Sequence, residues 1–251
     1  MTGADRDRPA TVDLAVPARA LAIGAHPDDI EFGCGATLAK WAAAGCVVSH
    51  LVCTDGSKGT WRVDADIAAL VSARRVEQVA AARALGGTGE VLFLDRVDGE
   101  LDDDRATRAE VARAIRLLRP DVVLGHDPWK RYRLHPDHRA AGFLTVDGLV
   151  AARDPHFFAD QGLAHHRPSA LLLFEADEPD HAEDVTGWGD AKLAALEAHE
   201  SQHESTMFIS ADDRGDERDR FRRRILDGLA DVGRWAGVTH AERFKLLPTD
   251  R

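Results

Sequence analysis

Apolar and polar positions along the chain fall into short blocks with two different periods. Residues 21–25, 47–53, 91–94, 121–125 and 170–174 are compact runs rich in Val, Leu, Ile and Ala, of strand length. Between them the apolar positions recur at helical spacing, over 33–45, 66–85, 105–118, 136–150 and 190–201, with an amphipathic segment at 216–235. Gly86-Gly87 supplies a stop after the second of these, because glycine takes the left-handed conformation that closes a helix. Strand alternating with helix predicts an α/β fold: a Rossmann-like, mostly parallel sheet with helices on both faces. Residues 1–17 are polar and predict a flexible N-terminal tail. Without repeats or a Gly/Ser-rich linker, 18–251 predicts one α/β domain. Such sheets bind ligands at the carboxyl ends of their strands, which directs attention to the loops after positions 25, 53, 94 and 125.

Composition narrows the partner classes. The 251 residues carry a formal charge of −11, the wrong sign for a general nucleic-acid binder. Charged residues make up 30%, yet they are interleaved with a 44% hydrophobic complement large enough for a core, so order is expected. No apolar run approaches the roughly 20 residues that span a bilayer, and the first residues lack the apolar stretch of a secretory signal. Cys34, Cys46 and Cys53 form no C-x-x-C pair and suggest no disulfide framework. A cytoplasmic enzyme is the expected class. The unusual count is 12 histidines against a single tyrosine.

Two strand-end loops concentrate chemistry. The first reads Ala25-His26-Pro27-Asp28-Asp29, where proline stiffens the turn. His26 and Asp29 can fold towards one point while Asp28 leaves the chain in another direction; the competing role is that Asp28 or Asp29 caps the following helix. The second reads His135-Pro136-Asp137-His138, with the histidines on nearly one face if Pro136 opens a helix. Two histidines and a carboxylate make a catalytic zinc set. The expected ligands are His26, Asp29 and His138, holding one Zn2+ per chain, other divalent metals being possible. Asp28 is then the general base and His135 the group that stabilises an oxyanion or protonates a leaving group. These parts suit amide hydrolysis.

On these residues the sequence resembles the PIG-L/LmbE-like zinc-dependent N-deacetylases. Their A-H-P-D-D loop stands at 25–29 and their H-P-D-H at 135–138. Thr54-Asp55-Gly56, the Arg74-x-x-Glu77 helix, Asp98-Gly99 and His199-Glu-Ser-Gln202 match weaker family marks. The resemblance implies the same zinc ligands and the same roles for Asp28 and His135. It also implies substrate contacts by Arg74 and Asp98, against a simple surface ion pair between Arg74 and Glu77. Tyr132 is a further substrate-side candidate, spaced three residues before His135 where family members have two. The implied substrate is a small N-acetylated, or more generally N-acylated, amino sugar; the implied assembly is a homo-oligomer.

Three alternatives remain. An amidase acting on a thiol conjugate would use the same metal site. A Rossmann-like nucleotide- or methyl-donor-binding protein would use Gly33-Cys34-Gly35, although the full G-x-G-x-x-G fails at Leu38. His199-Glu-Ser-Gln-His203 matches the H-E-x-x-H of zinc proteases by residue type alone. Trp61 and Trp129 flank the expected site and are candidates to wall a sugar pocket.

Overall fold

The computed structural model describes residues 11–249. Among them, strands β1 (Thr11–Val12), β2 (Arg19–Gly24), β3 (Val47–Thr54), β4 (Val91–Arg96), β5 (Val122–His126), β6 (Ala170–Phe174), β7 (His181–Asp184) and β8 (Ala241–Pro248) form one sheet in the order β1-β7-β8-β6-β5-β2-β3-β4. All neighbouring pairs are parallel except those made by β8, which runs against both β6 and β7. The mostly parallel sheet follows the expectation from the apolar runs.

Alternation along each strand divides the core in two. Ala20, Ala22, Val48, Val52 and Leu124 face one side, packed against Leu38 and Trp41 of helix α1 (Asp29–Ala43) and Leu85, just past the end of helix α2 (Ile67–Ala84). Leu21, Ile23, Leu51 and Val123 face the other, against helices α3 (Arg105–Leu118) and α4 (Pro136–Arg153). Helices α5 (Gly189–Glu197) and α6 (Asp216–Ala236) complete the first side, α5 against α1 and α2 and α6 over β8. Asp66 and Asp104 start α2 and α3 by accepting the N–H of Ala69 and Thr107, at 3.0 and 2.7 Å. Gly86, at φ 77°, ends α2 where the sequence placed its stop. The chain leaves β2 towards α1 on one face and β5 towards α4 on the other. β2 and β5 are neighbours, so the strand order reverses between them and opens a crevice there.

Two strands, β7 and β8, do not follow from the apolar pattern, because charged residues are among those they bury. His181 and Glu183 of β7 are fully buried and pair at 3.0 Å, and Lys40 reaches Glu183 at 2.6 Å. Buried Glu242 of β8 is held by Lys192 at 2.6 Å. The expected tail is corrected from Thr11 onward, since β1 pairs with β7; residues 1–10 lie outside the described residues.

α1 begins at Asp29, four residues before its expected start, and bends at Cys34, whose φ of −149° is not helical. The bend strands backbone groups that other elements satisfy. Glu242 accepts the N–H of Ala36 and Thr37 at 3.1 and 2.8 Å, while Lys192 donates to the carbonyl of Phe32 at 2.6 Å. Gly33 sits inside this helix under the Phe174 ring, where an added Cβ would lie 2.5 Å from the ring. The glycines are therefore packing residues, which removes the basis of the nucleotide-loop alternative. Gly33→Ala should cost about 1–3 kcal/mol of stability through overpacking. A thermal melt reads this, and an unchanged midpoint would show that Phe174 yields freely.

Candidate active site

The carboxyl ends of β2, β5 and β6 bring His26, His126 and Glu175 together, and the start of α4 brings His135, Asp137 and His138. They border a cleft of about 500 Å3 lined by His26, Asp28, Asp29, Arg74, Asp98, His135 and His138, among others. Seven of the eight residues singled out in the sequence thus meet in one place. Tyr132 does not: its side chain is 94% exposed and does not line the cleft, because its backbone, at φ 57°, sits in a turn of the loop carried outside. That expectation is corrected.

Three side chains converge in the cleft. His26 Nδ1 lies 3.2 Å from Asp29 Oδ2, His138 Nε2 lies 3.3 Å from Asp29 Oδ1, and the two ring nitrogens are 3.3 Å apart. Ligands bound tetrahedrally at about 2.0–2.1 Å are separated by roughly 3.3–3.4 Å, the size of each of these separations, with Asp29 turning a different oxygen to each ring. The far side of the His26 ring orients it for binding. Its Nε2 donates to Asp137 Oδ2 at 3.1 Å and faces Asp98 Oδ1 at 3.3 Å, so Nδ1 is the nitrogen turned towards Asp29 and His138. Asp137 is fully buried and also accepts the N–H of Gly99 and Leu101, at 2.6 and 3.3 Å. Its place inside H-P-D-H was visible in the sequence; its hold on His26 was not.

His126 was missed altogether. It is buried at the end of β5, stacked on His138 with centroids 4.4 Å apart, and its Nε2 lies 3.3 Å from Asp29 Oδ2. On its other side Nδ1 donates to Glu175 Oε2 at 3.2 Å. Nε2 also accepts the Ala25 N–H at 3.4 Å. The metal-sized clusters among the described residues are His26, His135 and His138; His26, Asp98, His135 and Asp137; and Asp29, His126 and His138. His138 fits less closely on its far side. Arg133 Nη1, a donor only, is 2.8 Å from Nδ1, and the nearest acceptor there, Glu175 Oε2, is 4.0 Å away.

Electrostatics sorts the two adjacent aspartates. Burial would raise the Asp29 carboxyl, but His138 and His126 beside it hold it well below its ordinary value. Burial pushes the Asp28 carboxyl up to about 6, with Arg74 pulling it back and Asp29 adding to the rise. Burial likewise draws His138 down to about 4 against the attraction of Asp29. For His26 burial is outweighed by the hydrogen bonds to Asp137 and Asp29, which raise it well above normal. His135 is lowered, first by burial and then by His26, and it stands at the exposed mouth with its ring 4.5 Å from that of His26.

Asp28 occupies the N-cap position of α1 but makes no capping hydrogen bond with its side chain. Its backbone lies at φ 101°, a strained region for a residue with a Cβ. Two contacts hold it there: its N–H donates to Gln78 Oε1 at 3.0 Å, and Arg74 Nη2 donates to Pro27 O at 2.6 Å and to Asp28 Oδ2 at 3.4 Å. Arg74 is buried, and Gly56 and Gly59 leave it room, since a Cβ at either would fall within 3 Å of the guanidinium. Its fork braces the loop; Glu77 bonds Ser201 instead, at 2.6 Å to its hydroxyl, so no Arg74–Glu77 surface pair forms. Asp98 accepts the Lys58 N–H at 3.1 Å.

The protease-like motif is accounted for differently. His199 is buried 3.4 Å from Glu31, His203 bonds the carbonyl of Glu197 at 3.1 Å, and the two join no metal-sized cluster among the described residues.

The chain matches a family model described as GlcNAc-PI de-N-acetylase (PIG-L) over residues 21–149. Diacetylchitobiose deacetylase of Thermococcus kodakarensis is 36% identical over 188 residues, covering 73% of this chain and 70% of that protein. The 1D-myo-inositol 2-acetamido-2-deoxy-alpha-D-glucopyranoside deacetylase 2 of Saccharopolyspora erythraea is 33% identical over 226 residues, covering 72% and 82%. Among solved structures, N,N'-diacetylchitobiose deacetylase from Pyrococcus horikoshii, complexed with an inhibitor, matches with a TM-score of 0.81 at 31% identity, covering 92% of this chain and 84% of that one.

Proposed function

The chain belongs to the PIG-L family of GlcNAc-PI de-N-acetylases, and from that premise we propose that it is a metal-dependent hydrolase removing the N-acetyl group from a small molecule containing N-acetylglucosamine. The observation that carries the proposal is the convergence of His26 Nδ1, Asp29 and His138 Nε2 at 3.2–3.3 Å beside Asp28 and His135 in one cleft. The relatives named above are deacetylases of N-acetylated amino sugars by name, which supports the same class here. No helix among the described residues is long and apolar enough to cross a membrane.

His26, Asp29 and His138 would hold the ion. A bound divalent cation supplies Lewis-acid chemistry, making water more acidic and offsetting charge that gathers on a carbonyl oxygen. The chain's own groups do the rest. Asp28, pointed into the cleft and not among the three ligands, takes a proton from the attacking water as its oxygen bonds to the acetyl carbon. His135, at the mouth, donates a hydrogen bond to the oxygen that becomes negative. The C–N bond then breaks; the nitrogen takes up the proton, and acetate and a free amine leave. Arg74 and Gln78 hold the Asp28 peptide in its strained conformation, so the carboxylate need not search for its position. Asp98 and the Gly59 edge present polar groups to the sugar.

Acetate release from N-acetylglucosamine and its short glycosides, with and without a zinc chelator, tests the proposal. Chelator-sensitive release of acetate and amine in equal amounts is the expected result. No release from any N-acetyl sugar, with cleavage of thiol-conjugate amides instead, would replace the deacetylase by the conjugate amidase.

A further inference from the structure

Behind the Asp28 loop lies a group of buried polar side chains that the proposed chemistry does not use. Glu31 of α1, His50 of β3, Gln78 of α2 and His199, which follows α5, are each no more than 1% exposed, and none of them lines the cleft. Gln78 is their hub. Its Nε2 donates to Glu31 Oε1 at 2.8 Å and to His50 Nδ1 at 3.2 Å, while its Oε1 accepts the Asp28 N–H at 3.0 Å. His199 Nε2 faces the second Glu31 oxygen at 3.4 Å. Burial draws His199 down, but Glu31 beside it raises it above its ordinary value, which favours a charged ring opposite that buried carboxylate. The peptide joining Pro27 to Asp28 is thus held at both ends from α2. Arg74 takes its carbonyl at 2.6 Å and Gln78, one turn further along the same face, takes its N–H. That peptide plane sets the φ of Asp28, the strained 101° that aims its carboxylate.

We propose that His50 and Glu31 are positioning residues for the Asp28 base, acting through the Gln78 carboxamide. The inference rests on the deacetylase proposal and extends it to groups that never meet the substrate. A carboxamide turned end over end keeps its shape, so its direction is decided by its neighbours alone. A carboxylate oxygen only accepts, so Glu31 Oε1 calls for the NH2 end. His50 adds a second acceptor when its proton sits on Nε2 and Nδ1 keeps its lone pair. Burial lowers the affinity of this ring for a further proton, against the pull of Glu31, which suits a neutral His50. With both acceptors in place the NH2 is used twice, and Oε1 is left for the Asp28 N–H. Reversed, the amide would set N–H against N–H, and the peptide would turn away from 101° and carry the base with it. Arg74 by itself pins one end of a plane that can still pivot about that end.

The test sets His50→Leu against His50→Asn and adds Gln78→Met, all metal-loaded, with acetate release from N-acetylglucosamine and its short glycosides as the reaction. Asparagine presents an oxygen where Nδ1 stood; leucine fills the space without an acceptor. His50→Leu and Gln78→Met should lower kcat by about 10–100-fold, the scale of a displaced catalytic group, and leave KM within about twofold. His50→Asn should recover most of kcat. Stability should run the other way, since a buried asparagine costs more than a buried leucine, so a thermal melt separates positioning from folding. Imidazole 15N spectra of the unaltered protein, with the His50 signal assigned by its loss from either His50 variant, should show Nδ1 without a proton. Unchanged kcat in His50→Leu, or an equal loss in the leucine and asparagine variants, overturns the proposal and leaves the deacetylase standing. So does a proton on His50 Nδ1, whatever the variants do. No acetate from the unaltered protein overturns the deacetylase proposal and this inference with it.

Discussion

Asp28→Asn should lower kcat by roughly 10²–10⁴-fold, the range associated with loss of a positioned general base, while the protein keeps its fold and its metal. The substitution changes one property of the site. Asparagine has nearly the volume of aspartate and tolerates positive φ at least as well, so the backbone at φ 101° is not disturbed. The N–H of residue 28 still donates to Gln78, and Arg74 still bonds the carbonyls of Pro27 and Gly56. Asp28 is not one of the three converging donors, so metal content should stay within error. What is lost is an anion able to accept a proton where burial has raised its affinity for one. Steady-state acetate release, metal analysis and a thermal melt on the same preparation separate the possibilities. Activity above about a tenth of the original would move the base elsewhere. Lost metal would make Asp28 a ligand.

The legible parts of this protein were those written in contiguous residues. Five strands, β2 to β6, are apolar runs, the four inner ones because both faces of a covered parallel sheet are buried, and the Gly86 stop and the two H-P-D loops are local signals. The charged strands β7 and β8 were illegible, since Glu183 finds Lys40 and Glu242 finds Lys192 across 143 and 50 residues of chain, and nothing near either glutamate marks it as buried. The same holds for the site. His126 matters because the β5–β6 register sets it opposite Phe174, which delivers Glu175 beside its ring. Asp137 matters because α4 turns its carboxylate back to His26 and to the loop at Gly99. Neither relation has a spacing to read. Arg74 could be singled out, but its direction, into the loop that carries the base, follows from the crossing of α2 and from two glycines that give way to it. Tyr132 shows the opposite error: nearness in sequence to His135 did not put it in the cleft.

Removing His138 should abolish metal retention, and removing His126 should not. The two rings are stacked and each sends Nε2 towards Asp29, so the choice between them has to come from what else each nitrogen does. His126 is engaged at both nitrogens, Nδ1–H with Glu175 and Nε2 with the Ala25 N–H, which leaves no free lone pair for an ion. His138 Nε2 has no backbone partner and stands 3.3 Å from His26 Nδ1, the separation that a shared tetrahedral ion sets. Binding there requires Arg133 to give up its 2.8 Å contact with His138 Nδ1, a small movement for an arginine that also reaches Glu175 at 2.5 Å. His138→Gln should therefore weaken zinc binding by more than the roughly 10–100-fold that accompanies loss of an outer hydrogen-bonding partner, and should remove chelator-sensitive turnover with it. His126→Gln should fall within that range, and added zinc should restore its activity. Competition with a chromophoric chelator gives both affinities without relying on turnover. The reverse order, with His126→Gln metal-free and His138→Gln loaded, would transfer the ligand role to the histidine at the end of β5 and leave His138 beside His135 at the substrate.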